Sequence, residues 1–395
     1  MFTKIKSLLK TTFIKLITKD DIDYSTWVFS SSFNTKFNYN SKYLFEYVIK
    51  NELGITPIYV VNDDNLRSQL KTKYGDQYFV ETKSFKGIKR VLNSGVWFTS
   101  AGMPVYGFSL NKKRIIINLW HGVPLKKINL MENNISIYRK IFFKYFFSKN
   151  YTYILTTSKN LVNIMKKSFG VNDEKIKVLG QPRNDKIFSI SNPREVLNSL
   201  YSDLPSYKKI ILYAPTFREY SGTAFFPFTD FCQTDLDKYL EENDLIIFIR
   251  CHQLETNNLG GSISNRIRLI NEDKVEDVMD IINIFDLLIT DYSSMYIDFL
   301  LTEKPILFLP YDKEEYIKKR GLNFEYDSVT PGPKPKTFID FKNEIIVLLN
   351  NNNYYMLERK KMNLFFYEVK KPCSDLIYRF VKEEVHKLES IIEGK

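Results

Sequence analysis

The sequence has 395 residues, 44% hydrophobic and 26% charged, which is long enough for two domains that each bury a core and ordinary for a soluble globular protein. A formal net charge of +11 favours anionic partners: nucleic acid, an acidic membrane surface or phosphate-bearing substrates. Three cysteines, Cys232, Cys251 and Cys373, are far apart and lack metal-ligand spacing, which argues against a disulfide framework or a zinc site and suits a reducing cytoplasm.

In residues 1–22, lysines alternate with apolar side chains. Lys10 and Lys15 interrupt any apolar run and no small-residue cleavage site follows, so neither a signal peptide nor a spanning helix is predicted. The pattern predicts a basic amphipathic helix, which can lie in a membrane interface or pack on the domain surface. Strands are then predicted at 27–31, 56–62, 96–100, 113–119, 153–157 and 175–179, with helices at 42–50, 65–74, 84–92 and 161–169. Strands separated by helices at this spacing predict a doubly wound parallel sheet. Gly122 and Pro124 end the strand at 113–119 and throw His121 onto a loop. Residues 137–153 carry a broad aromatic surface interleaved with cations, which suits either a core or a headgroup layer. No nucleic-acid module surrounds them, so nucleic acid is not expected as a partner.

Residues 189–207, rich in Ser, Asn and Pro, read as an interdomain segment with a short helix at 194–200. A second series follows, with strands at 209–213, 245–250, 268–271 and 305–309 and helices at 236–243, 275–284, 339–349 and 372–391. Within it, the apolar run 284–289 leads through Thr290, Asp291, Tyr292, Ser293 and Ser294 into a helix at 295–301. The predicted organisation is a basic segment at 1–22, Rossmann-like domains at 23–190 and 191–375, and a terminal helix at 376–395.

Ser293 and Ser294 at the start of a helix, just past a strand end, form a candidate phosphate cradle, because the first helical turn offers unpaired N–H groups. Thr216 and Arg218 follow another strand, and Arg250 a third. Arg binds phosphate oxygens bidentately, so Arg218 and Arg250 are candidates to clamp a diphosphate. Two of the three histidines, His121 and His252, each lie just past a predicted strand, one per domain, as expected of a shared site. Arg183 and Asn184 are placed to close on it. Asp235 and Asp237 have carboxylate spacing but start a helix, so capping explains them and no metal site is predicted.

At these residues the sequence resembles the CDP-glycerol glycerophosphotransferase family, which builds teichoic acids and related phosphopolyol polymers. The resemblance runs through Asn40 to Tyr47, Trp120-His121-Gly122 with Lys126-Lys127, and Gly180-Gln181-Pro182-Arg183-Asn184-Asp185. It continues through Tyr213 to Arg218, Arg250-Cys251-His252, Thr290 to Ser294, and Tyr311-Asp312 onward to Pro331-Gly332. It implies a GT-B fold, α/β, with two Rossmann-like domains facing a cleft: the acceptor on the first, beside Gly122, Lys126, Arg183 and Asn184, and CDP-glycerol on the second. It further implies His121 as general base, His252 with Thr290, Asp291, Ser293 and Ser294 at the donor diphosphate, and Asp312 among the donor-binding residues. A lipid-linked saccharide or polyol-phosphate acceptor and a peripheral place on the inner face of the cell membrane follow from the same resemblance. No cofactor is called for, and assistance by a divalent metal stays open. The alternatives are a CDP-ribitol transferase, a GT-B glycosyltransferase using a nucleotide sugar, and a non-catalytic binding protein.

Overall fold

The computed structural model describes residues 2–18, 21–189, 191–218, 222–251, 259 and 263–393. The chain divides into two compact units, one of residues 1–121, 128–185 and 368–395, the other of residues 122–127 and 186–367.

The first unit is built on seven strands: β1 (Asp23–Ser30), β2 (Thr56–Val60), β3 (Phe79–Val80), β4 (Ser94–Thr99), β5 (Ile115–Asn118), β6 (Tyr153–Thr156) and β7 (Ile176–Val178). Their order is β3-β2-β1-β4-β5-β6-β7 and every pairing is parallel. Val28, Phe29, Trp97, Phe98 and the run Ile115 to Ile117 are all buried. Such unbroken apolar strands are what a sheet covered on both faces requires. Winding reverses between β1 and β4, so their carboxyl ends form the switch point where open α/β sheets place ligands.

Residues 368–393 return to this unit. Ile377, Val381 and Val385 of helix Ser374–Glu393 pack in one cluster with Trp27, Leu44 and Phe98. Asp185 caps that helix, accepting from the backbone N–H of Cys373 at 2.7 Å and of Ser374 at 3.0 Å, and from the Ser374 hydroxyl at 2.5 Å. Gly180 (φ +86) lies so close that an added Cβ would come within 3.0 Å of the Cys373 sulfur.

The second unit has five strands, β8 (Lys209–Tyr213), β9 (Leu245–Ile249), β10 (Ile267–Leu269), β11 (Leu287–Thr290) and β12 (Ile306–Phe308). They are parallel throughout in the order β10-β9-β8-β11-β12, which puts the switch point between β8 and β11. All of β9 is buried, as the apolar run Leu245 to Ile249 demands.

Several elements depart from expectation. The helix predicted at 275–284 is two 3-10 turns, Val278–Asp280 and Ile282–Ile284. The Asp277 carboxylate accepts from Met279 N at 3.0 Å, and a short acidic side chain bonding its own backbone competes with helix. The strand within the apolar run at 284–289 begins only at Leu287; just before it, the Asp286 carboxylate accepts from Ile210 N and Lys209 Nζ, both at 2.9 Å. The aromatic stretch is α-helical over Ile137–Phe143 and passes into a π turn at Lys144–Ser148. Among the described residues no helix is long and apolar enough to cross a membrane.

Candidate active site

In the first unit the site is built around the loop leaving β5. Asn118 Oδ1 accepts from Trp120 N at 2.8 Å, and Trp120 takes φ +54 with Gly122 at φ +151. A left-handed conformation at a bulky residue costs on the order of 1–3 kcal/mol and persists only where its surroundings enforce it. Asn40, fully buried, does so. Its Nδ2 donates to Leu119 O at 3.0 Å and Trp120 O at 2.8 Å, while its Oδ1 accepts from Arg183 N at 3.0 Å.

Arg183 then donates from Nη1 to His121 O at 2.7 Å. Rings flank the half-buried imidazole: Trp120 at 4.0 Å and Tyr39 at 4.9 Å between centroids. Burial first, and the Arg183 charge second, push the His121 pKa down to about 4. The imidazole is therefore neutral at pH 7 and able to accept a proton. Asn184 is buried beside Arg183, its N–H donating to Gln181 O at 2.9 Å. Sequence reasoning gave Asn40 no role. Its one signal was its place in the stretch Asn40 to Tyr47 that carries the family resemblance, which assigns it no contact.

Gly122 and Lys126 belong to the second unit, not with Arg183 and Asn184 as expected. Asn323 is the reason: its backbone N–H donates to Leu125 O at 2.9 Å, and its side chain to Pro124 O at 2.7 Å and Lys126 O at 2.8 Å. The Lys126 ammonium lies 5.5 Å over the Tyr316 ring.

The second unit places Thr216 and the Thr290 to Ser294 segment together at its switch point. Thr290 Oγ1 donates to Ala214 O at 2.7 Å, and Thr216 N donates to Asp291 Oδ1 at 2.8 Å. Arg218 lies beneath them, its side chain wholly buried. It donates from Nη1 to Asp291 at 2.5 Å, from Nη2 to Asp312 at 2.9 Å and from Nε to Asp312 at 3.1 Å. Burial would lower the Arg218 pKa, but Asp312 and Asp291 together raise it.

This guanidinium spends its bonds on Asp291, Asp312 and the Thr216 carbonyl, so it frames the site and does not clamp a ligand. Arg250 is likewise committed to carbonyls, those of Ile270 at 2.9 Å, Val275 at 2.6 Å and Glu276 at 3.0 Å. The two-arginine clamp is therefore absent among the described residues, because each guanidinium finds acceptors within its own unit. Asp291 and Asp312 are framework carboxylates for the same reason.

The groups left for a ligand are hydroxyls and backbone N–H groups. Ser293 and Ser294 are partly exposed, and Ser293 Oγ accepts from Met295 N at 3.3 Å. The buried Thr216 hydroxyl has no partner among the described residues. The helix that follows is short, Met295–Phe299 with a 3-10 continuation at Leu300–Thr302, so local N–H groups matter more here than a macrodipole. His252 lies outside the described residues. Among those described, no group of three or more His, Cys, Asp or Glu is placed to hold a metal ion.

Two doubly wound parallel sheets, each with its polar groups at the carboxyl edge, define a GT-B-like α/β protein. The chain belongs to the CDP-glycerol:poly(glycerophosphate) glycerophosphotransferase family, whose model it matches over residues 12–382. It is 29% identical over 282 residues to the teichoic acid glycerol-phosphate primase of Bacillus subtilis, covering 70% of this chain and 65% of that one. To a teichoic acid poly(glycerol phosphate) polymerase of Staphylococcus epidermidis it is 28% identical over 329 residues, covering 80% of this chain and 44% of that one. The chain thus spans less than two thirds of the length of these relatives. A histidine variant of the wall teichoic acid polymerase TagF has a solved structure that superposes with a TM-score of 0.74 at 26% identity, covering 95% of this chain and 94% of that one.

Proposed function

We propose that the protein transfers a glycerol phosphate unit from CDP-glycerol to a hydroxyl of a membrane-linked or polymer acceptor, releasing CMP, in the synthesis of teichoic acid or a related surface polymer. The observation that carries this reading is the place of His121 at the carboxyl edge of the first sheet, on a loop whose carbonyls Asn40 and Arg183 hold, with burial favouring the unprotonated imidazole. The acceptor oxygen attacks the β-phosphorus as its proton passes to an imidazole nitrogen, and the bond from that phosphorus to the bridging oxygen breaks to release CMP. Ser293, Ser294 and Thr216 hold the donor phosphates through hydroxyl and N–H groups, while Arg218, Asp291 and Asp312 keep that edge in shape. A TagF variant soaked with CDPG, 25% identical to this chain, supports the choice of donor.

The acceptor side meets an anionic membrane in this reading. Helix Phe2–Ile17 buries Thr11 and Ile14 but leaves Leu9, Phe13, Leu16 and Ile17 exposed, and Ile137, Tyr138 and Ile141 are exposed beside Arg139 and Lys140. Apolar side chains interleaved with cations suit an anionic headgroup layer. A second polyol is favoured by one observation: two ribitol-phosphate polymerases of Staphylococcus aureus are 30% and 31% identical over 193 residues. A donor panel of CDP-glycerol, CDP-ribitol and UDP-sugars, with CMP or UDP release as readout, tests the proposal. CMP release from CDP-glycerol is the expected outcome, and turnover of a UDP-sugar alone would overturn it.

A further inference from the structure

The second unit holds a cavity of about 370 Å³ on the edge of its sheet opposite Thr290 and Ser293. Lys209 opens β8, while Asp286 and Pro305 stand immediately before β11 and β12, so the cavity sits at the amino ends of the strands. Lys209, Lys304, Arg359 and Lys360 line it, against Asp286 and Glu303. Lys209 and Asp286 pair at 2.9 Å, which leaves three cations facing one carboxylate.

Arg359 is only 3% exposed. Its Nη1 and Nη2 reach the carbonyls of Tyr354 at 2.7 Å and Asn352 at 3.2 Å, and it forms no ion pair among the described residues. Its Nε is buried without a partner among the described residues, as is Oδ1 of Asn363, another residue of the wall. The Lys304 ammonium donates to Asn283 O at 2.7 Å and Phe285 O at 2.8 Å, leaving one of its three protons uncommitted. A buried guanidinium that feels Glu358 and Glu303 without an ion pair to either among the described residues is costly, and an anion from solution relieves that cost.

We propose that this cavity binds a small phosphate-bearing anion and that its occupancy biases the segment at the opposite edge of the sheet. Its volume suits a small ligand, and a compact cluster of ammonium and guanidinium groups recognises phosphate oxygens. The physical link is the helical stretch that begins at Met295 and ends at Leu300–Thr302. Leu300 and Thr302 lie in the cavity wall, Asn363 Nδ2 donates to Leu300 O at 2.8 Å, and Ser293 and Ser294 stand at the other end, roughly 12 Å away at 1.5 Å per residue. The coupling rests on the donor role proposed above, whereas the binding does not.

The test is calorimetric titration of the full chain at fixed ionic strength with inorganic phosphate and, separately, with glycerol 3-phosphate. Lys304→Gln should weaken binding at least about tenfold and the exposed Lys360→Gln several-fold, while the double change Ser293→Ala, Ser294→Ala leaves it intact. A wild-type chain that binds neither anion at millimolar concentration overturns the proposal. So does binding unchanged in both lysine variants, or binding lost in the double serine variant. Saturating anion should also shift CMP affinity at least about twofold. An unchanged affinity removes the coupling, and failure of CMP to bind at all counts against the donor reading while the anion site stands.

Discussion

At the carboxyl edge of the first sheet a neutral imidazole stands against stacked rings on a loop whose carbonyls are held by Asn40 and Arg183, whereas at the same edge of the second a buried guanidinium grips two carboxylates. Burial first and the Arg183 cation second favour the unprotonated imidazole, whereas carboxylates beside it would favour the imidazolium. The second site has no proton to manage and tolerates fixed charge. Arg218, Asp291 and Asp312 sum to a net negative charge, so they do not attract a diphosphate. They act as framework, and the hydroxyls and N–H groups resting on it face the ligand.

Replacing His121 separates the two edges most sharply. His121→Ala should lower CMP release by about a hundred- to ten-thousand-fold, with CDP-glycerol affinity by calorimetry nearly unchanged; loss of that affinity would break the assignment of separate tasks. Next in size, Arg218→Met leaves Asp291 and Asp312 uncompensated and should cost about 3–5 kcal/mol in urea unfolding. Arg218→Lys should rescue only part of this, since an ammonium cannot serve both carboxylates bidentately. Asn40→Ala removes the hold on Leu119 and Trp120 and should cost about 1–3 kcal/mol, with turnover falling more than donor affinity. Ser293→Ala with Ser294→Ala should weaken CDP-glycerol binding by about tenfold, the reverse of the His121 pattern.

A separate effect is on acidity. The ordinary histidine pKa is 6.5 and that of His121 is about 4, so above pH 6.5 neither the folded nor the unfolded chain carries this proton. Between 6.5 and 4 the unfolded chain takes it up and the folded chain does not, so stability falls as pH drops through that window. His121→Asn should flatten this part of the urea-midpoint profile.

The sheets were legible because their strands are apolar runs such as Ile115 to Ile117 and Leu245 to Ile249, bounded by polar residues. β3, two residues long, has too little periodicity to announce itself. Helices Lys313–Arg320 and Met356–Phe366 also escaped notice, the first because its highly charged sequence carries hardly any apolar stripe. His121 was findable as a histidine thrown onto a loop by Gly122. Arg218 shows the limit: its carboxylates lie 73 and 94 residues away, and no local pattern says that they converge beneath it. An arginine bound for a framework and one bound for a phosphate look alike in sequence.

The return of residues 368–393 to the first unit has a consequence for the order of synthesis. Trp27, Leu44 and Phe98 leave the ribosome early, yet Ile377, Val381 and Val385, which pack in the same cluster, follow only after the whole second unit has been made. The part of the molecule translated first therefore completes its interior last, and a fragment cut after residue 190 would emerge with that face bare and prone to aggregate.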